Sequence, residues 1–197
     1  MAEQATSERN GGAEAPVPEY GRYYYRHDCG VPYGRNEHWL RFFGEVADGI
    51  VRDFHPTTVL DAGCAMGFLV EALRERGVEA WGVDVSEYAI SQAHDSVREH
   101  CRVGSLVEPL PRRYDLIVSI EVVEHIPKAE TDRAIANLCA ATDRLLLSTS
   151  PSDYAEATHL NVQPPEAWSA ALAREGFLRD VERDISYITP WAALYKR

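Results

Sequence analysis

The sequence predicts a doubly wound α/β fold, and three observations carry that expectation. Short apolar runs of strand character alternate along the chain with segments whose apolar residues recur every three or four positions. Glycine and proline stand at the joints between them, where helices stop and turns begin. The alternation also leaves room between strands for a helical crossover, the connection that parallel strands require.

Taken in order, residues up to about Glu19 are rich in Glu, Ala, Gly, Pro and Ser without apolar periodicity and read as a disordered tail. Order is expected from the aromatic cluster Tyr20, Tyr23, Tyr24 and Tyr25. Between Asn36 and Phe54 the residues Trp39, Leu40, Phe42, Phe43, Val46, Ala47, Ile50 and Val51 recur at helical spacing, so residues 20–55 read as an N-terminal helical cap or lid before a core of residues 56–197. In that core Thr58 to Asp61 reads as a strand, Phe68 to Arg76 as a helix stopped by Gly77, and Ala80 to Asp84 as a second strand. Ser86 caps the following helix. Tyr114 to Ile120 is an apolar strand, Glu130 to Ala141 a helix with Ile135 and Leu138 inward, and Leu145 to Thr149 a strand closed by Pro151. Pro164 and Pro165 open a helix carrying Trp168, Ala171 and Leu172 that ends at Gly176, and two strands follow near Arg179 to Ile188 and Trp191 to Tyr195.

Open α/β sheets bind ligands beyond the carboxyl ends of their strands, so the loops after strands are where chemistry is sought. The first reads Asp61-Ala62-Gly63-Cys64-Ala65-Met66-Gly67, whose small residues let backbone amides approach a ligand at a helix N-terminus. Asp84 ends the second strand 23 positions beyond Asp61, where a carboxylate can accept hydrogen bonds from both hydroxyls of a ribose. The pattern D-x-G-x-x-x-G lacks the middle glycine that admits a dinucleotide pyrophosphate, which argues against a nicotinamide cofactor.

Val59 to Gly67, Gly82-Val83-Asp84 and Tyr114 to Pro127 resemble the successive motifs of class I S-adenosylmethionine-dependent methyltransferases, and the likeness spans Thr57 to Ile188. The resemblance implies a Rossmann-like seven-stranded sheet, mostly parallel with one antiparallel strand and helices on both faces. It implies S-adenosylmethionine as cofactor and a small-molecule acceptor, methylated on oxygen or nitrogen in natural-product or sugar-modifying pathways. Asp61, Gly63 and Ala65 would line the methionine portion with Gly67 in the same loop, Asp84 would hold the ribose, and Val85 would flank adenine. Ser105 and Leu106 would complete the adenine end, where many relatives carry an acidic residue, and Glu121 would close the cofactor site after the fourth strand.

Methyl transfer from a sulfonium is an in-line displacement that needs a base only for a hydroxyl-like acceptor. The run Glu121-Val122-Val123-Glu124-His125 supplies candidates at the sheet's carboxyl edge, and Thr158-His159-Leu160-Asn161 can face the same cavity from beyond the fifth strand. His125, His159 and Glu121 are therefore the catalytic candidates, with Asn161 shaping the loop. Glu121, Glu124, His125 and His159 together could also hold a divalent metal, and the local run resembles a metal-binding motif of small-RNA 2'-O-methyltransferases. The same Glu-Val-Val-Glu-His run is broadly present in metal-free class I methyltransferases, so the expected site has no metal. Tyr24, Tyr25, Tyr33, Arg35 and His38 make the segment before the first strand richer in aromatic and polar groups than a plain cap requires, as a substrate-selecting lid would be.

Composition narrows the partners. A formal net charge of −11, with no basic run, repels a polyphosphate backbone and argues against nucleic acid. No apolar stretch approaches the roughly 20 residues of a membrane span, and the polar start lacks a signal-peptide core, so a cytoplasmic protein without a membrane partner is expected. The cysteines Cys29, Cys64, Cys101 and Cys139 form no C-x-x-C pair and read as reduced thiols. Oligomeric state leaves no trace in the sequence. Two rival readings stay open: a metal-assisted RNA 2'-O-methyltransferase and a non-catalytic nucleotide-binding subunit.

Overall fold

The computed structural model describes residues 19–29 and 31–197; the tail expected to precede Tyr20 lies, but for Glu19, outside the described residues. The chain enters through a one-and-a-half-turn helix α1 (Arg22–His27) and then α2 (Glu37–Phe54). Asn36 starts α2 as the periodicity predicts: its side-chain oxygen accepts from the Trp39 N–H at 3.2 Å, occupying one of the donors a helix start leaves open. The core follows as β1 (Thr58–Ala62), α3 (Phe68–Glu75), β2 (Glu79–Asp84), α4 (Glu87–Ser91) and β3 (Cys101–Val103). It continues as β4 (Leu116–Ile120), α5 (Lys128–Ala140), β5 (Arg144–Ser148), α6 (Pro165–Arg174), β6 (Leu178–Asp180) and β7 (Ala193–Lys196).

The seven strands form one sheet in the order β3-β2-β1-β4-β5-β7-β6. Neighbours from β3 through β5 pair in parallel, and β7 runs antiparallel to both β5 and β6. This is the Rossmann-like sheet with a single reversed strand that the resemblance implies. The order reverses between β1 and β4, and the crevice outside that switch point is where such sheets take ligands.

The apolar strands read as continuous runs, yet their side chains divide by the two-residue pleat. Val59, Leu116, Val118 and Leu146 face one layer, where Phe43, Val46, Ala47 and Ile50 of α2 and Leu69, Val70 and Leu73 of α3 meet them. Leu60, Ile117, Leu145 and Leu147 face the other, against Ile135 and Leu138 of α5 and Trp168 and Leu172 of α6. Each fully buried Leu or Ile stabilises the fold by about 1.5–3 kcal/mol, so the sheet is fastened from both sides and its loop-bearing edge is held firmly.

Two sequence expectations need correction at the carboxyl end. The strand expected over Arg179 to Ile188 stops at Asp180, because the Asp180 carboxylate accepts from the Glu182 N–H at 3.1 Å and Asp184 from the Ser186 N–H at 2.9 Å. Such local side-chain turns take backbone donors away from a ladder. The strand expected from Trp191 starts instead at Ala193, after a turn in which the Ala192 N–H donates to the Thr189 carbonyl around Pro190. The turn frees the Trp191 ring for the site described below. At the other end of β4, Asp115 does not pair as a strand residue but accepts the Thr57 and Thr58 N–H groups at 2.8 and 3.0 Å.

Candidate functional site

The loop from β1 to α3 is bent by three residues in the left-handed region, Gly63 at φ 92°, Ala65 at φ 45° and Gly67 at φ 75°. Gly63 has a second reason to be glycine: an added Cβ would lie 2.2 Å from Cγ2 of Val122, in the loop after β4. The N–H groups of Gly63 and Cys64 both donate to the Val83 carbonyl, at 2.8 and 3.1 Å, tying the loop to β2. Ala65 holds a conformation that costs a non-glycine residue about 1–3 kcal/mol, and its N–H is held by Asp84 Oδ2 at 2.8 Å. Asp84 Oδ1 accepts the Ser86 N–H at 2.8 Å, and Ser86 caps α4 through Ala89 as the sequence predicts. Each Asp84 oxygen keeps a further lone pair for a ligand.

Asp61 is buried, and its carboxyl makes no hydrogen bond or ion pair to any described residue. Burial, reinforced by the Asp84 charge, pushes its pKa up to about 8. Burial also raises Asp84, with the two backbone donors pulling the other way. Two neighbouring acids without a cation are therefore a place where a positively charged ligand is favoured. Beside them Val85 is half exposed and offers an apolar wall.

The end of β4 supplies the second half. Glu121 sits at φ 52°, and its Oε1 accepts from the Ser148 hydroxyl and, at 2.9 Å, from the Trp191 indole. Glu124 is fully buried: Oε1 accepts the Ser150 N–H at 2.9 Å, and its backbone carbonyl accepts the Asn161 N–H at 2.8 Å. It joins the loops after β4 and β5, and burial beside Glu121 pushes its pKa up to about 8. Asn161 reaches the Thr131 hydroxyl at 2.7 Å, the loop-shaping part expected of it. His125 donates from Nδ1 to the Thr158 carbonyl at 3.1 Å, and burial together with His159 depresses its pKa to about 4, leaving a neutral ring. The two imidazoles stand with centroids 4.7 Å apart.

A single cavity of about 1220 Å³ joins both halves. Asp61, Gly63, Ala65, Asp84, Val85, Ser105, Leu106, Glu121, His125 and His159 all line it. Gly67 does not: it begins α3, with Cys101 Sγ 2.9 Å from where its Cβ would be. Glu124 lies behind the wall rather than in it, so the four-residue metal set Glu121, Glu124, His125 and His159 does not converge; His125 and His159 meet Glu156 instead. Glu156 was missed by sequence reasoning, although an acid three residues before His159 was the available sign. The Ser105 hydroxyl oxygen accepts the Val107 N–H at 3.2 Å and keeps its O–H free to donate.

The N-terminal segment forms the cavity's outer wall. Arg35 clasps Glu71 of α3 through two hydrogen bonds of 2.5 and 2.8 Å, and Tyr33 stacks on Phe68 with ring centroids 5.3 Å apart. Tyr20 bridges the two ends of the site: its carbonyl accepts from the Ser86 hydroxyl at 2.5 Å and its phenol donates to the His125 carbonyl at 3.5 Å.

Comparison with known proteins follows the same outline. A methyltransferase-domain family model matches residues 33–179. Among curated relatives, a ubiquinone biosynthesis O-methyltransferase of Idiomarina loihiensis is 33% identical over 90 residues, 42% of this chain and 36% of its own length. A magnesium-protoporphyrin O-methyltransferase of Synechocystis is 31% identical over 114 residues, 54% of this chain and 48% of its own. The chain thus spans half or less of the length of these relatives. A solved magnesium protoporphyrin IX methyltransferase of Synechocystis, with bound S-adenosylmethionine, superposes with a TM-score of 0.68 at 21% identity, over 94% of this chain and 100% of that one. An amino pentose methyltransferase of Micromonospora echinaspora, also with S-adenosylmethionine bound, gives 0.63 at 16% identity over 83% and 93%. With the family model covering most of its length, the chain belongs to the methyltransferase-domain family.

Proposed function

We propose that the protein transfers the methyl group of S-adenosylmethionine to an oxygen of a small molecule. The observation that carries this reading is the pair of buried acids, Asp61 and Asp84, flanking a left-handed loop inside a cavity large enough for two ligands. S-adenosylmethionine brings an ammonium and a sulfonium to those acids. Its ribose diol suits the free lone pairs of Asp84, and its adenine suits the bare Val85 wall with Leu106 and Ser105 beside it. The N–H groups of Gly63, Cys64 and Ala65, expected to approach a ligand, are taken by Val83 and Asp84, so the loop has no cradle of free amides for a pyrophosphate.

Oxygen is favoured as the acceptor atom because the matched relatives carry O-methyltransferase names. An acceptor from natural-product or sugar modification is our choice of substrate class, supported by the fold shared with the amino pentose enzyme. The acceptor lies toward His125, His159 and Glu156, where a hydroxyl proton can be taken up while the S–CH₃ bond breaks and the O–CH₃ bond forms. Glu121 borders this end, its carboxylate fixed by Ser148 and Trp191. The segment of residues 20–55 acts as the lid that excludes water. Tyr25 is buried and the partly buried Tyr33 packs against the core, which makes the segment part of the folded core, so point substitutions at Tyr20 and Tyr24 test it more cleanly than its deletion.

The test has two arms. Calorimetry with S-adenosylmethionine should give one site per chain, and labelled methyl should pass to a small-molecule fraction screened by mass spectrometry. Binding without transfer to any acceptor would favour a non-catalytic nucleotide-binding subunit. Absence of binding would overturn the reading.

A further inference from the structure

His125, Glu156 and His159 come from two loops, the short turn Val123–His125 after β4 and the stretch after β5, and one donor atom from each lies within 4.8 Å of the others. The tautomers follow from their partners. A carbonyl can only accept, so His125 Nδ1, 3.1 Å from the Thr158 carbonyl, and His159 Nδ1, 2.7 Å from the Asp153 carbonyl, both carry hydrogen. The Nε2 atoms are left with their lone pairs. Glu156 is oriented in the same way: Oε1 accepts the Thr158 hydroxyl, and Oε2 lies 3.4 Å from His159 Nε2. That separation is about the edge of a tetrahedron whose centre is a metal with ~2.1 Å bonds.

Metal-binding histidines characteristically donate the other ring N–H to a carbonyl or carboxylate, which fixes the ring and sharpens its lone pair. Here all three donors have such a second partner. The His159 side chain is 5% exposed and that of Glu156 16%, so the donors are largely withdrawn from solvent, yet all three line the cavity. Three protein donors with the remaining positions opening on a cavity is the arrangement of a reactive metal site rather than a closed structural one.

We propose that His125, His159 and Glu156 bind one divalent transition-metal ion, of the zinc, manganese or iron(II) class, with its open positions turned to the acceptor. Two imidazoles and one carboxylate select these ions over magnesium and calcium, which take oxygen ligands. Glu121 and Glu124 are not ligands, because their carboxylates do not converge with the two imidazoles: Glu121 Oε1 is drawn to Ser148 and Trp191, and Glu124 lies behind the cavity wall on the Ser150 amide. The ion's role in transfer rests on the function proposed above. With the ion bound, His125, His159 and Glu156 act as ligands in place of the proton-accepting part given them above: an acceptor hydroxyl on the ion would lose its proton to water, and the oxygen would then take the methyl as the C–S bond breaks. The binding claim itself stands apart from that role.

The protein, freed of metal by a chelator, is titrated with Zn²⁺ by calorimetry and with Co²⁺ by visible absorption, beside a separate titration with S-adenosylmethionine. One equivalent of each metal should bind, and Co²⁺ should develop the ligand-field bands of a nitrogen-containing site. His159→Ala and Glu156→Gln should each weaken metal binding about 100-fold or more with S-adenosylmethionine affinity retained, and Glu121→Gln should leave metal binding unchanged. No metal uptake by the wild-type chain, or uptake indifferent to His159→Ala and Glu156→Gln, overturns the site. S-adenosylmethionine binding in the same preparation shows that such a failure belongs to the metal site and not to the methyl-transfer reading.

Discussion

Asp61 makes the binding of a cationic cofactor depend on pH in a calculable way. In the free protein its carboxyl holds a proton up to about pH 8, because it is buried beside the charge of Asp84. A ligand ammonium favours the ionised form, so binding releases that proton. The bound complex is then favoured above pH 8, and affinity falls as pH drops below it. Well below pH 8 each unit costs about 1.4 kcal/mol, or tenfold in Kd; with half of the carboxyl already ionised at pH 8, affinity at pH 6 should be about 50-fold weaker than at pH 8. Calorimetry of S-adenosylmethionine between pH 6 and 8, in buffers of different ionisation enthalpy, should count close to one proton released per ligand at the acid end. Asp61→Asn should release none and flatten the profile, while any titration of the ligand itself remains in both. A wild-type Kd that does not change with pH, or an equal slope in Asp61→Asn, would refute the argument. The ligand-free fold obeys the opposite sign: a folded-state pKa raised above its unfolded value gives stability that is lost as pH rises toward 8. Ligand-free Asp61→Asn should accordingly melt above wild type at pH 8.

Asp84→Ala should weaken S-adenosylmethionine binding by about 100-fold or more, since it removes charge-assisted bonds worth about 1.5–3 kcal/mol each and releases the Ala65 and Ser86 amides; an unchanged Kd would exclude Asp84 from the ribose. His125→Ala or His159→Ala should slow transfer by about 10²–10⁴ with the cofactor still bound, read as kcat against Kd. Gly63→Ala should destabilise by about 2 kcal/mol or more, from positive φ and the clash with Val122, and pairing it with Val122→Ala should recover part of the loss in a urea melt. Glu124→Gln should be nearly neutral at pH 7, where the buried acid already carries its proton. Glu124→Ala should cost about 1–3 kcal/mol by orphaning the Ser150 amide.

What the sequence made legible was what repeats or what backbone geometry forbids to other residues. The strand through Val59 and Leu60, the helical spacing from Trp39 to Ile50, and the Ser86 cap each depend on local physics and appear where expected. The Gly63 turn and Asp84 were legible together because one parallel crossover sets them side by side. The loops were not. Whether Asp180 and Asp184 turn back on their own backbone or leave the amides to a ladder is decided by small differences that no periodicity records. The partnership of His125 with Glu156 depends on how two loops 30 residues apart are laid across each other, and Glu124, which looks like chemistry in the motif, is the residue that lays them.

Tyr20 touches both ends of the site at once, through Ser86 beside the Asp84 carboxylate and through the carbonyl of His125. On the proposed lid reading a single residue latches two doors, and whatever swings it aside would uncover the donor crevice and the acceptor chamber in the same motion. Spent donor and methylated product would then depart within one opening, and turnover would be paced by how often that latch lifts.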